Sequence, residues 1–228
     1  MAENKGMSDL WRRLRFVFMA IIIYRVGTHI PIPGIDPDRL ASLFDQNQGT
    51  ILELFNLFSG GALERMSIFA LNVVPYISSA IIMQLFSNAI PYLQELKKDG
   101  QAGRNAITQY TRYGTVFLAL IQASALAATL SSSGLAYQPG PSFFVTAVVS
   151  VVAGTVFLMW LGEQVSERGI GNGISIIIAT SILTGIPGAI GQALEQARQG
   201  DLNILLLLSI GVLAMVLIAI VVYIERGQ

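Results

Sequence analysis

Apolar runs that approach or reach membrane-spanning length recur along this chain, and they constrain its fold more than any other feature. An α-helix needs about 20 mostly apolar residues to cross the hydrocarbon core of a bilayer. The sequence predicts six spans, at about residues 16–29, 73–91, 113–130, 143–162, 174–194 and 202–224. Only 12% of the 228 residues are charged, whereas soluble domains carry about 25%. The predicted fold class is therefore an all-α polytopic membrane protein.

The stretch from residue 59 to residue 88 interrupts this regular pattern. The pair Gly60-Gly61 precedes a short segment, residues 62–71, which contains two charges and is too short to cross a membrane. In lipid, a broken helix is tolerated only where it is buried in protein or lines a water-filled cavity. The stretch is therefore a candidate part of a transport pathway.

The polar segments between the spans predict shorter elements and an orientation. A short interfacial helix is expected within residues 1–15, and a surface helix from Asp36 to about Asp45. Ten of the 14 Lys and Arg residues lie at the two ends of the chain and in the loops 91–112 and 163–173. The positive-inside rule then places both ends of the chain in the cytoplasm.

The sequence offers no constellation for catalysis or metal binding. It has no cysteine and a single histidine, His29, so neither a thiolate site nor a histidine-cluster site is expected. The glycine-rich turn at residues 169–173 follows a membrane helix instead of a strand, which favours a tight turn over a phosphate-binding loop. We expect a protein that is not an enzyme and uses no cofactor or metal.

Side chains inside the spans leave two interpretations open. Val73 and Ile77 are four residues apart and share a helix face, as do Ile178 and Ile182. Such faces are either packing surfaces or an apolar constriction that blocks ions by dewetting. The mid-span polar groups are neutral, and serve either interhelical hydrogen bonds or a pathway; they are Ser78, Ser79, Gln84, Gln122, Ser175, Thr180, Ser181 and Thr184.

Without mid-span carboxylates, a proton-coupled carrier is disfavoured. A small-solute secondary transporter with a broken-helix site is the alternative function.

Several long blocks of this sequence are specific enough to suggest a family. They include residues 30–35 (IPIPGI), 58–63 (FSGGAL), 109–115 (QYTRYGT) and 167–175 (ERGIGNGIS). Over all 228 residues the chain resembles the SecY family, the channel-forming subunits of bacterial protein translocases, in its proteobacterial form. The resemblance implies a ten-helix inverted-repeat channel in two halves around an hourglass pore.

On this resemblance the chain would supply only part of such a channel. Residues 1–194 would form the N-terminal half, residues 195–201 a hinge loop, and residues 202–228 the first helix of the C-terminal half. The expected architecture is six transmembrane helices and a short re-entrant plug helix, and the chain is expected to be a fragment.

The resemblance also implies roles for individual residues. An apolar pore ring would include Val73, Ile77, Ile178 and Ile182, although many relatives have isoleucine in place of Val73. We call residues 60–71 the plug segment, which would close the pore from outside. Its plug residues are Gly60, Gly61, Ala62, Leu63, Glu64, Arg65, Met66, Ser67, Ile68, Phe69 and Ala70. The second and third spans would form one wall of a lateral gate, with candidate polar groups Ser78, Ser79, Gln84 and Gln122.

The implied activity is transport of unfolded preproteins across the bacterial cytoplasmic (inner) membrane, with sideways release of transmembrane segments into lipid. The implied partners are the SecE and SecG subunits, the SecA motor ATPase, the ribosome, signal sequences and membrane lipid. Energy would come from the motor, the translating ribosome or the proton-motive force.

Overall fold

The computed structural model describes residues 3–46, 56, 59–199 and 204–227. Within these residues the chain forms α-helices and turns, with only isolated β-bridges, so the all-α prediction is confirmed. The helices are α1 (Glu3–Gly27), α2 (Pro37–Gln46), α3 (Val74–Ala89), α4 (Pro91–Lys98), α5 (Gly100–Ser132), α6 (Pro141–Arg168), α7 (Gly173–Gln199) and α8 (Ile204–Arg226).

The six predicted spans coincide with the long helices α1, α3, α5, α6, α7 and α8. Among the described residues, α5, α6 and residues 208–226 of α8 are long and apolar enough to cross a membrane by length and composition. Residues 173–188 of α7 form a shorter apolar helix. The predicted surface helix near residues 36–45 is present as α2.

Two helices begin well before their predicted spans, α1 at Glu3 instead of residue 16 and α5 at Gly100 instead of residue 113. The interfacial helix expected within residues 1–15 is the first part of α1, which continues without a break. Asp9 forms ion pairs with Arg12 and Arg13, three and four residues later, and such pairs stabilise a helix across this polar stretch. Pro187 lies inside α7, as prolines in membrane helices can.

The chain divides into two compact units, Met1–Ile182 and Leu183–Gln228. In the second unit, every described side chain from residue 208 to residue 227 is exposed. An apolar helix with this exposure needs lipid or other helices around it. The predicted hinge loop, residues 195–201, falls on the last turn of α7 and on residues outside the described part, so the domain boundaries stay a prediction.

In the first unit, α5 packs against both α3 and α6. Its buried residues Ala119, Ala123 and Ala127 are spaced four apart and lie on one face. Ala123 and Ala127 belong to an apolar cluster that also contains Ala147 and Val151 of α6. Membrane helices pack closely through small residues of this kind, so α5 and α6 form the core that supports the rest of the unit.

Extended backbone joins the loops of the first unit to one another. Ile32 donates a backbone hydrogen bond to Met66 (2.8 Å), and Ile68 donates one to Ile30 (3.0 Å). A second pair of backbone hydrogen bonds joins residues 34–36 to residues 135–137. The loop after α1 therefore holds both the plug segment and the turn after α5.

Two helix glycines make room for the plug segment. A Cβ atom at Gly27 of α1 would overlap the ring of Phe69, and one at Gly154 of α6 would overlap the carbonyl oxygen of Ile68. The backbone at Ile68 cannot move aside as a flexible side chain can, since it pairs with Ile30. The absence of a side chain at Gly154 is therefore required for this packing.

We expect Gly154→Ala to destabilise the first unit by about 1–3 kcal/mol, the usual cost of overpacking. Thermal unfolding of the detergent-solubilised protein measures the loss. Gly188→Ala is the matched control, because no described atom lies within 4 Å of a Cβ there and alanine is the better helix former. Equal melting temperatures for the two variants would contradict the packing described here.

A bidentate ion pair joins α5 to α6. Arg112 Nε lies 2.8 Å from Glu163 Oε1, and Arg112 Nη2 lies 2.8 Å from Glu163 Oε2. Two parallel charge-assisted hydrogen bonds fix the geometry of both side chains. Because the Arg112 side chain is 40% exposed, solvent screens the pair and limits its contribution to stability.

We expect a double-mutant cycle of Arg112→Gln and Glu163→Gln to give a coupling energy of about 0.5–1 kcal/mol. The coupling should fall as salt is raised. Free energies of unfolding in detergent at low and high salt provide the measurement. The control is the Asp9–Arg12 pair, with side chains 41% and 75% exposed, for which we expect a smaller coupling; an equal coupling for both pairs would argue against a special role for the bidentate geometry.

Candidate functional site

The plug segment is a compact series of turns in place of the continuous short helix that was expected. The backbone turns repeatedly from Gly60 to Val73, and α3 begins at Val74. Positive φ angles occur at Gly60 (66°), Gly61 (78°), Met66 (41°) and Asn72 (49°). A right-handed helix cannot pass through such residues, so the segment folds back on itself.

One side of the plug segment is buried and the other is charged and exposed. Ala62, Ser67 and Phe69 are at most 2% exposed. Glu64 and Arg65 are exposed, and Glu64 exchanges two hydrogen bonds of 3.0 Å with the side chain of Asn56. The segment is thus amphipathic without being helical, with its apolar side held in the protein.

Three aromatic rings attach the plug segment to two helices. The ring of Phe69 is stacked on Tyr24 of α1, with centroids 6.0 Å apart and planes 4° apart. On its other side Phe69 is stacked on Phe157 of α6, at 6.0 Å and 6°. Stacked aromatic pairs contribute about 0.5–1.5 kcal/mol beyond the burial of their area, so Phe69 is a main anchor of the segment.

The buried side of the plug segment joins an apolar cluster, called here the ring cluster. Its buried members are Ala20, Tyr24, Ala62, Phe69, Val73, Leu158, Leu161, Val165 and Ile177. Among the predicted pore-ring residues, Val73 is a member and is 1% exposed. Ile77 and Ile178 pack against the cluster. Ile182 is half-buried at the end of the first unit.

The structure therefore brings three predicted ring residues together with three predicted plug residues, Ala62, Ile68 and Phe69. Both sequence interpretations of Val73 and Ile77, as packing surface and as constriction, are compatible with their place in this apolar cluster. The pore-ring role stays a prediction.

The predicted gate residues differ in their surroundings. Ser79 is 2% exposed and donates a hydrogen bond of 2.8 Å to the carbonyl of Thr111, which joins α3 to α5. Gly114 provides the room for this contact. Ser78 and Gln122 are half-buried, and Gln84 is exposed. Ser79 thus lies within the seam of the predicted gate wall.

Gln84 lines a cavity of about 550 Å³ between α3, α4 and α5. The cavity is also lined by Tyr76, Met83, Lys97 and Arg104. It combines apolar walls with two cationic side chains beside the gate wall.

The turn before α7 depends on one glycine conformation and one cap. Gly171 has a φ of 72°, which confirms the predicted tight turn. Asn172 caps α7, since its Oδ1 accepts hydrogen bonds from the backbone of Ile174 (3.0 Å) and Ser175 (3.3 Å). Within the described residues, no group of three or more His, Asp or Glu residues is arranged to hold a metal ion.

Sequence reasoning missed two buried polar residues at the ring cluster, Tyr24 and Asn72. The Tyr24 hydroxyl lies 2.6 Å from Ser181 Oγ and 3.1 Å from the carbonyl oxygen of Ser59. Asn72 Nδ2 donates to Ser181 Oγ at 3.1 Å. A tyrosine and an asparagine inside apolar stretches were the available signal, because buried polar groups need partners.

Comparisons with known proteins agree with this arrangement. The SecY family model matches residues 67–228. The protein translocase subunit SecY of Pseudomonas aeruginosa is 61% identical over 226 residues, which cover 99% of this chain and 51% of that protein. The subunit of the same name from Escherichia coli strain K12 is 56% identical over 227 residues, which cover 98% of this chain and 51% of that protein. The chain spans about half the length of these curated relatives.

Solved structures share the fold. One is described as the structure of a protein conducting channel, and another as Sec61 in the canine ribosome-channel complex from the endoplasmic reticulum. Each is 18% identical with a TM-score of 0.59, over 86% of this chain and 43% of the other. From the family match and the close proteobacterial relatives, the chain belongs to the SecY family.

Proposed function

We propose that this chain is the N-terminal part of the central pore subunit of the Sec protein translocase. The subunit passes unfolded preproteins across the membrane and releases transmembrane segments sideways into lipid. The observation that carries the proposal is the plug segment, a broken backbone between α1 and α3 whose apolar side fills the ring cluster. The family membership supports the same function.

The geometry suits a substrate that is an unfolded chain of any sequence. An apolar ring seals around many side chains without binding one tightly, because it offers no polar partner to select among them. The plug segment is held by backbone pairing with residues 30–32 and by the stacking of Phe69. Contacts of this size can be broken and remade during transport.

The pair of helices α3 and α5 would form one wall of the lateral gate. The hydrogen bond from Ser79 to Thr111 holds the two helices together, so the wall would move as one body. Ser78, Gln84 and Gln122 would then be the polar groups nearest the opening. A seam next to lipid lets each passing segment partition by its hydrophobicity.

The remaining pore-ring residues and the opposite gate wall would come from the rest of the subunit. The proposed partners are SecE, SecG, the SecA motor, the ribosome, signal sequences and unfolded preproteins. A ribosome-channel complex is described for the structurally similar Sec61. We place the chain in the bacterial inner membrane with both ends in the cytoplasm, as its Lys and Arg distribution indicates. Its role requires no enzyme activity and no cofactor.

Photocrosslinking tests the proposed function in a chimeric subunit. The chimera joins this chain to the remaining part of the Pseudomonas aeruginosa relative. We expect a photoreactive residue at Ile77 to crosslink a stalled secretory precursor, because an unfolded chain passing the ring must contact it. The crosslinked product is measured on gels with labelled precursor.

The control position is Leu217, which is 54% exposed on α8. Crosslinking at Ile77 no stronger than at Leu217 would refute the channel proposal.

Deletion of residues 61–65 tests the seal. We expect the deletion to raise ion leakage through liposomes that contain the chimera, because it removes Ala62 from the ring cluster. Replacing only the exposed side chains, with Glu64→Ala and Arg65→Ala, should leave the leakage near the wild-type value. An unchanged leak after the deletion would argue against a plug.

A further inference from the structure

Both ends of the plug segment converge on one buried polar cluster. Ser59 precedes the segment, and its carbonyl oxygen lies 3.1 Å from the Tyr24 hydroxyl. Asn72 follows the segment, and its Nδ2 lies 3.1 Å from Ser181 Oγ. The two hydroxyl oxygens of Tyr24 and Ser181 are 2.6 Å apart. All four residues are at most 4% exposed. We call the two ends of the plug segment, at Ser59–Gly60 and Asn72, its neck, and this neck is buried inside the protein.

The hydrogens available to this cluster define two arrangements. The 2.6 Å separation of the two hydroxyl oxygens requires one hydroxyl hydrogen between them. If Ser181 donates to Tyr24, then Tyr24 donates to the Ser59 carbonyl, and a continuous relay runs from Asn72 through both hydroxyls to Ser59. If Tyr24 donates to Ser181, then Ser181 donates to the carbonyl of Ile177, 2.9 Å away, and the bond to Ser59 is lost.

We propose that Tyr24, Asn72 and Ser181 form a latch that holds the neck of the plug segment closed, and this role rests on the proposed channel function. Tyr24 and Ser181 are positioning residues, since they act through the plug segment. In the relay arrangement, α1, α7 and both ends of the segment are joined by hydrogen bonds. In the other arrangement the entry of the segment at Ser59 is released while α1 and α7 stay joined.

The position of the latch links it to the pore ring. Asn72 directly precedes Val73, and Ser181 directly precedes Ile182. Arg25 adds a hydrogen bond of 3.2 Å from Nη1 to the carbonyl of Gly60, on the same neck. A change at the latch therefore acts on the plug segment and on two predicted ring residues together.

Cysteine labelling at Ala62 tests the latch. Ala62 is fully buried and the chain has no cysteine, so Ala62→Cys reports opening of the plug segment. The chimera is used with the cysteines of its other part removed. We expect Tyr24→Phe or Ser181→Ala to raise the rate of labelling by a small thiol reagent roughly three- to fivefold. A change of this size corresponds to the loss of one hydrogen bond in a membrane protein.

Tyr24→Phe and Ser181→Ala each remove one hydroxyl group and preserve the packing around the latch. Tyr24→Phe keeps the stacking on Phe69. Asn72→Gly keeps the positive φ of 49° without strain and is expected to give the same rise. Because the residues act in one relay, the Tyr24→Phe/Ser181→Ala double variant should label no faster than the faster single variant. Tyr113→Phe, at a tyrosine that is 63% exposed, should leave the rate unchanged.

Three results would overturn the latch. They are unchanged labelling in both single variants, a multiplicative rise in the double variant, or an equal rise at Ala123→Cys in the other apolar cluster, which would indicate general loosening. Labelling needs no transported substrate, so failure of the latch and failure of the channel proposal are distinguished. Crosslinking at Ile77 tests the channel, whereas labelling at Ala62→Cys tests the latch.

Discussion

The requirement that every buried backbone group finds a hydrogen-bond partner governs this structure. From Gly60 to Val73 the chain abandons the helix, and its N–H and C=O groups need other partners in a membrane. The loop after α1 supplies two of them by pairing residues 30–32 with residues 66–68. Tyr24 and Arg25 supply two more, at the carbonyls of Ser59 and Gly60. A non-helical plug segment is stable here because its neighbours replace the bonds that a helix would have provided.

These hydrogen bonds require the plug segment to lie very close to the neighbouring helices, and small residues on the helices allow this close approach. Gly27 and Gly154 let the plug segment lie directly against α1 and α6, where any side chain would collide with Phe69 or with the backbone of Ile68. The alanine face of α5 and Gly114 have the same effect at the packing of α5 with α6 and α3. Where the plug segment meets α1 and α6, the helices therefore present glycine, and the segment presents the ring of Phe69 and the backbone of Ile68.

The sequence predicted the helices well because its signals are local. Apolar runs placed the six long helices to within a few residues at most ends, whereas residues 91–112, which were expected to be a loop, form α4 and the first turns of α5. The break in the helix at Gly60-Gly61 was predicted, but not the turns that follow it, since no local signal announces a positive φ at Met66. The latch was missed because Tyr24 and Ser181 are 157 residues apart, and only the folded chain makes them neighbours.

In the proposed channel, the plug segment must be held firmly enough to seal the pore and weakly enough to leave it during transport. Apolar burial alone gives a poor compromise, because its strength grows with the area that also makes the seal. A few buried hydrogen bonds at the neck allow the tightness of the seal and the ease of opening to be determined by different contacts. On this proposal, the apolar contacts of the ring cluster determine how tightly the segment seals, whereas the hydrogen bonds of Tyr24 and Ser181 determine how often its neck opens. Because those bonds join Tyr24 of α1 to Ser181 of α7, a small displacement between these two residues would, on this proposal, weaken the hold on the neck while Phe69 keeps its stacking on Phe157 of α6.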